Sequence, residues 1–322
     1  MALRMIGRAR LLPAQRPGFH LRLQQTARLI IAGTLLLGLL VSCSSTSTAL
    51  PVIGAFTKLS DLIYANDANG ELRLDLYLPD TPAANPVPVV VMMRGGGFRS
   101  TGKEAFAPLA GAMADRGIAA ASIEYRGSAQ ALFPGATEDS KAAVRWLRVN
   151  AGSYGLDAEA ITLMGGSAGG YLVAYHGVTE GLAEVEGMRG NPQVSSAVQA
   201  VVALAPESGP SALSAWTEYL GETDGRDEQK RQFASALTHV DEAAEPPLLL
   251  MHGTADSVVP ISESERLQAA YEESANLVEF VAISNAPHSF WFQARYFSQM
   301  MDRAAAFVLT HTACGRTVSC DD

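Results

Sequence analysis

Cysteine is scarce in this 322-residue chain: only Cys43, Cys314 and Cys320 occur, with no C-x-x-C pair and no Cys/His cluster. A thiolate zinc site and a disulfide-stapled core are both unexpected on that count, and no metal is assigned. Acidic residues are missing from the first 42 positions, which carry six arginines, Arg4, Arg8, Arg10, Arg16, Arg22 and Arg28. A membrane-spanning run is also missing, because the apolar stretch Leu29 to Val41 falls short of the roughly 20 residues that cross a bilayer. The glycine run Gly95-Gly96-Gly97 has no following Lys-Ser/Thr and no G-x-G-x-x-G spacing, which argues against a phosphate cradle. No internal repeat is visible.

A basic start, a short apolar core and then Leu40-Val41-Ser42-Cys43 make an export signal. The tetrad resembles a bacterial lipobox, whose cysteine becomes the acylated first mature residue, and Ser44-Ser45-Thr46-Ser47-Thr48 suits a flexible tether over 43–58. An ordinary secretory signal with an incidental cysteine is the alternative. The expected location is the cell envelope, with attachment to membrane through a lipid on Cys43. Without residues 1–42, Lys plus Arg falls from 24 to 18 against 33 acidic residues, a net charge of −15 over 280 residues. Such a balance repels polyanions, so nucleic acid is not an expected partner. Cys314 and Cys320 sit in a tail over 313–322, where they can close a small loop in an oxidising compartment; two free thiols are the alternative.

From Leu59 short apolar runs alternate with helical patterns. Strands are expected at Asp61–Ala65, Leu72–Leu78, Val87–Met93, Ile118–Glu124, Ile161–Gly165, Ala197–Leu204, Pro247–His252 and Leu277–Ile283. Helices are expected at Glu104–Arg116, Thr137–Ala151, Ala168–Val178, Ser262–Ser274 and Gln293–Thr310. The middle strands are apolar on both faces, whereas Leu72 to Leu78 alternates like an edge hairpin strand. An α/β class follows: eight strands, mostly parallel, helices on both faces, one domain over 59–312. In the second helix Ala142, Ala143, Trp146, Leu147 and Val149 are expected inside, with Lys141, Arg145 and Arg148 outside. A polar stretch over 207–245, with helical pieces near Ala212–Leu220 and Glu228–Ala236, forms an insert before the seventh strand.

The chemistry centres on Leu163-Met164-Gly165-Gly166-Ser167-Ala168-Gly169-Gly170, a strand, tight turn and helix of the form G-x-S-x-G. Ser167 is placed at a helix start, where the Ala168 amide favours developing negative charge. A serine hydroxyl needs a base to take its proton and a carboxylate to orient that base. His288 lies on a loop after the last strand, and Asp256 lies after the preceding one, in the chain order Ser, Asp, His. His252, next to a strand end, is taken as a structural turn residue. The amides of Gly96 and Gly97, in Arg94-Gly95-Gly96-Gly97-Phe98, can serve an oxyanion.

With these motifs the chain resembles the α/β-hydrolase esterases, near the hormone-sensitive-lipase-like and feruloyl/acetyl-esterase-like branch, from about Leu59 to Thr310. The resemblance also covers Leu74-Asp75-Leu76-Tyr77-Leu78-Pro79, Glu124-Tyr125-Arg126, Phe133-Pro134 with Asp139, Val144-Arg145-Trp146-Leu147 and His252-Gly253 through Asp256. It implies Ser167, Asp256 and His288 as a triad, Gly96, Gly97 and Ala168 as the oxyanion hole, and support from Asp139. It further implies hydrolysis of short-chain acyl esters, among them acetyl esters of carbohydrates, through an acyl-enzyme and without a cofactor. The family's glycine loop usually begins with His, and Arg94 stands there instead, a permanent charge that suits an anionic substrate group. Competing expectations are an amide hydrolase of the same fold, either an arylformamidase or an exopeptidase, and a noncatalytic binding module.

Overall fold

Val87–Met93 shows how the core is built: Val89, Val91 and Met93 fall in one hydrophobic cluster and Val90 and Met92 in a second, as period-2 alternation demands of a strand covered on both faces. The computed structural model describes residues 55–68, 70–80, 86–99, 102–221, 227–241 and 245–313. The expected signal over 1–42, Cys43, Cys314 and Cys320 lie outside the described residues.

The strands are β1 (Phe56–Asp67), β2 (Gly70–Pro79), β3 (Val87–Met93), β4 (Ala119–Ile123), β5 (Leu156–Gly166), β6 (Ala200–Leu204), β7 (Leu248–Gly253) and β8 (Val278–Ile283). They form one sheet in the order β1-β2-β4-β3-β5-β6-β7-β8. β1 pairs antiparallel with β2 and β2 antiparallel with β4; every later pairing is parallel. The parallel run matters for chemistry, because the carboxyl ends of β3, β5, β7 and β8 then emerge along one edge.

β1 corrects the expected start of the domain. The tether was drawn over 43–58, but β1 begins at Phe56 and pairs Phe56 with Pro79 and Thr57 with Leu78. Its outward polar residues hide this in sequence, since an edge strand buries little.

The helices are α1 (Ala107–Ala114, after a 3-10 turn at Glu104–Phe106), α2 (Gly135–Tyr154), α3 (Ala168–Gly177), α4 (Ala183–Glu186), α5 (Ser214–Leu220), α6 (Glu228–Phe233), α7 (Ser262–Glu273) and α8 (Ala294–Ala313). α1 and α8 supply Leu109, Met113, Met300, Ala304 and Val308 to one face; α2, α3 and α7 supply Val144, Leu147, Leu172, Leu267 and Tyr271 to the other. None of the helices of the described residues is long and apolar enough to cross a membrane.

α2 keeps part of the expected stripe, with Ala142, Ala143 and Leu147 buried, and overturns the rest. Lys141 and Arg145 are fully buried, Trp146 is half-buried and Val149 is exposed. The cause is α4, which the sequence did not announce. Lys141 Nζ donates to Glu186 Oε1 (2.9 Å) and the Thr179 carbonyl (2.7 Å), while Arg145 Nη1 donates to Glu186 Oε2 (3.0 Å) and Nη2 to the Arg189 carbonyl (2.9 Å). Buried cations are tolerated only when paired in this way. Burial opposes ionisation of Glu186, yet Lys141 and the Ser196 hydroxyl hold its carboxyl below the usual range.

The described part of the insert between β6 and β7 is anchored to the domain. Trp216, Tyr219 and Leu220 of α5 are buried, and the Tyr171 and Tyr175 hydroxyls of α3 donate to the carbonyls of Ala234 and Phe233, both at 2.8 Å.

Glu186→Ala leaves two buried cations without their carboxylate. It should destabilise the domain by about 3 kcal/mol in urea unfolding. Glu186→Gln, which keeps one acceptor oxygen where Glu186 offers two, should recover only part of that loss.

Candidate active site

β5 ends at Gly166 and α3 begins at Ala168, so Ser167 alone makes the turn, at φ 57° and ψ −126°. A non-glycine residue held there stores on the order of 1–3 kcal/mol. Crossing backbones enforce it: a Cβ built on Gly165 would lie 2.2 Å from the Gly169 carbonyl oxygen, and one on Gly169 would lie 2.2 Å from that of Met93. Only glycine fits either position. The Ser167 amide donates to the Leu204 carbonyl (2.8 Å), which ties the turn to β6 and aims the side chain outward.

The loops after β7 and β8 are knitted together. Thr254 and Ala255 amides donate to the carbonyls of Ile283 and Ala286, each at 3.0 Å, and the Asn285 amide donates to Thr254 Oγ1 at 2.9 Å. On this frame His288 Nδ1 lies 2.7 Å from Asp256 Oδ2 and His288 Nε2 lies 2.9 Å from Ser167 Oγ. A carboxylate only accepts, so Nδ1 carries the proton and Nε2 accepts from the serine hydroxyl. Three residues from three separate loops thus meet as the sequence placed them.

The Asp256 side chain is buried. Burial opposes its charge, but bonds from His252 and His288 and from the amides of Val258 (2.8 Å) and Val259 (2.9 Å) hold its carboxyl well below the usual carboxylate range. His252, read from sequence as a turn residue, is therefore in contact with the acid, at 3.3 Å from Oδ2. The His-Gly-x-x-Asp spacing was the available signal, since a strand-end histidine four residues before the acid turns back onto it.

Facing Ser167 is a cavity of about 230 Å³ lined by Arg94, Gly95, Gly96 and Gly97 on one side and Phe106, Trp291 and Phe292 on the other. The glycine loop abuts the serine, for a Cβ on Gly95 would come within 2.8 Å of Ser167 Cβ. The Tyr125 hydroxyl donates to the Arg94 carbonyl (2.7 Å) at one end of the loop, and buried Phe98 stacks on Tyr219 at 4.2 Å at the other. Arg94 thus borders the cavity while its backbone is fixed. Ala168 is buried as the first residue of α3. Asp139, fully buried, accepts from the Arg126 amide (2.8 Å) and Nε (2.9 Å) and so holds the loop after β4 rather than touching the serine. The aromatic wall escaped sequence reading, although Phe290-Trp291-Phe292 begins two residues after His288. Among the described residues no group of acidic, His or Cys side chains is arranged to hold a metal.

The BD-FAE family model matches residues 74–271, more than half of the chain. The chain belongs to the BD-FAE family. The match takes in Ser167 and Asp256 and stops short of His288. Among curated proteins, this BD-FAE chain is 30% identical over 262 residues to Esterase LipQ of Mycobacterium tuberculosis, covering 77% of the chain and 61% of the relative. It is 27% identical over 247 residues to a probable isoprenylcysteine alpha-carbonyl methylesterase ICME of Oryza sativa, covering 72% and 58%. The chain therefore spans about three fifths of the length of these relatives. Among solved structures it superposes on a truncated carbohydrate esterase from gut microbiota with TM-score 0.72 and 27% identity, over 82% of this chain and 99% of that one. Thermogutta terrifontis esterase 2, phosphoramylated by tabun, gives TM-score 0.67 and 27% identity, over 81% and 96%. The fold of this BD-FAE protein is accordingly the α/β-hydrolase fold, as the resemblance implied.

Gly165→Ala should destabilise the protein by about 3 kcal/mol or more, because the added methyl meets backbone that cannot yield. Gly152→Ala, where α2 leaves open space around the glycine, should instead be neutral or stabilising by up to about 1 kcal/mol. Thermal melts of the two variants check the contrast.

Proposed function

We propose that this BD-FAE protein is a serine hydrolase of carboxylic esters. The observation that carries the reading is the continuous hydrogen-bond chain from Ser167 Oγ through His288 to Asp256, at 2.9 and 2.7 Å. His288 Nε2 takes the hydroxyl proton as Ser167 Oγ attacks the ester carbonyl, and Asp256 stabilises the imidazolium that results. The oxyanion is received by the amides of Gly96, Gly97 and Ala168. Collapse of the tetrahedral adduct expels the alcohol, which takes the proton from His288 and leaves an acyl-Ser167. Water, deprotonated by the same imidazole, then attacks the acyl carbonyl and frees the acid.

Short acyl groups are the substrate class, with acetyl groups on carbohydrate foremost. The modest cavity supports this, and so do the relatives, one a carbohydrate esterase and another an esterase solved with propionate and with butyrate bound. Export as a Cys43-acylated lipoprotein is the second part of the proposal, motivated by the basic start, the short apolar core and Leu40-Val41-Ser42-Cys43.

Purified protein should hydrolyse p-nitrophenyl acetate and butyrate faster than octanoate, and Ser167→Ala should lower kcat/KM by at least about a thousandfold. Equal rates in the two proteins would sink the mechanism. Expressed with its amino terminus in a Gram-negative host, the wild type should fractionate with membrane and Cys43→Ser should not; identical fractionation would remove the lipid anchor.

A further inference from the structure

His252 closes β7 fully buried, and its surroundings fix its proton. Nδ1 lies 2.8 Å from Ser264 Oγ on α7, and Nε2 lies 2.9 Å from the Val259 carbonyl oxygen. A carbonyl can only accept, so Nε2 bears a hydrogen, and Nδ1 shares its hydrogen bond with the Ser264 hydroxyl. The same N–H is 3.3 Å from Asp256 Oδ2, the very oxygen that accepts from His288 Nδ1. Two imidazoles therefore converge on Oδ2, while Oδ1 accepts the Val258 and Val259 amides.

We propose that His252 is a positioning residue of the hydrolytic site, which sets the strength of the Asp256–His288 hydrogen bond by drawing on the same carboxylate oxygen. The proposal rests on the serine-hydrolase reading above.

A second histidine in the molecule provides the comparison. His176 is also buried, with Nδ1 2.7 Å from Ser140 Oγ and Nε2 2.9 Å from the Ser196 carbonyl. The serine–imidazole–carbonyl bracket is thus how this chain holds a buried histidine. Around His176 the charged neighbours are the cations Lys141, Arg145 and Arg148, and burial with those charges keeps its ring neutral. His252 differs by the carboxylate, which bracing alone does not require.

The other ionisable groups near this corner are accounted for. From α7, Glu263 Oε2 accepts from the Ser208 amide and hydroxyl, and Oε1 lies 3.2 Å from Arg266. From the loop after β6, Glu207 is buried, accepts from Ser211 Oγ at 2.8 Å, and is pushed up by burial. From the loop after β8 comes His288 itself, and β8 sets apolar Ala282 opposite His252. Asp256 is the carboxylate that His252 touches.

The direction of the effect follows from charge. Each N–H on Oδ2 withdraws part of the negative charge available to the other. Removing the His252 donor leaves more charge facing His288, so its imidazolium is held more firmly and a higher pH is needed to free the base. His252→Leu should move the acid limb of the kcat/KM profile to higher pH and lower kcat/KM at pH 6 by about tenfold, with a smaller loss at pH 9. His252→Gln, whose amide can donate to the same oxygen, should restore most of the wild-type profile. His176→Leu should lower the melting temperature without moving the limb. Should His252→Leu fail to fold, Ser264→Ala decides the matter: it keeps the ring and its Nε2–H on the Val259 carbonyl, removes the Ser264 bond to Nδ1 that orients the ring, and should move the limb upward by a lesser amount. An unmoved limb in the folded variants, or a loss equal at every pH and not rescued by Gln, overturns the role of His252. Full activity in Ser167→Ala would instead remove the underlying hydrolase reading.

Discussion

The contact of backbone with backbone at Gly165 and Gly169 is the constraint on which the rest depends. It forces β5 into α3 within a single residue and leaves Ser167 in a conformation that side chains rarely adopt. Strain of about 1–3 kcal/mol is tolerable because the surroundings determine the turn several times over. The Ser167 amide is tied to β6, Gly95 presses on the serine from β3, and the Tyr171 amide donates to the Ser167 carbonyl at 3.0 Å. A hydroxyl fixed in this way meets only partners that are brought to it, and the parallel order β5-β6-β7-β8 brings Asp256 and His288.

Rigidity of the partners comes from loops rather than from the sheet. β7 and β8 exchange hydrogen bonds beyond their strand ends, so Asp256 and His288 move as one piece. Asp256 accepts from two amides and two imidazoles with its side chain out of solvent, and these bonds outweigh the burial that opposes its charge. Electrostatic preorganisation of this kind is set at folding and needs no rearrangement during reaction.

Much of this was legible in sequence because the informative residues answer to local rules. G-x-S-x-G specifies its own turn, and strands buried on both faces read as unbroken apolar runs, so β3 matched its expected limits and β5 to β8 were found within a few residues. Ser167, Asp256 and His288 could be placed because the loops after parallel strands share an edge. What failed was non-local. Lys141 and Arg145 looked like a solvated face until α4, a four-residue helix too short to show a periodic pattern, put Glu186 against them. β1 was drawn short because an edge strand with polar residues has little periodicity to read. His252 was taken for a turn residue because its significance depends on Ser264 and Val259, which only the fold places beside it.

The stack of Phe98 on Tyr219 joins the glycine loop to the insert, with Trp216 and Tyr171 packed edge-on around it. The insert is thereby bolted to the strand-end loop that lines the cavity facing Ser167. Divergence in the insert is consequently not confined to the rim of the cavity: a changed aromatic at position 219 tilts the loop beneath it. In this molecule the parts that would choose the ester and the parts that would cleave it share one aromatic cluster and drift together.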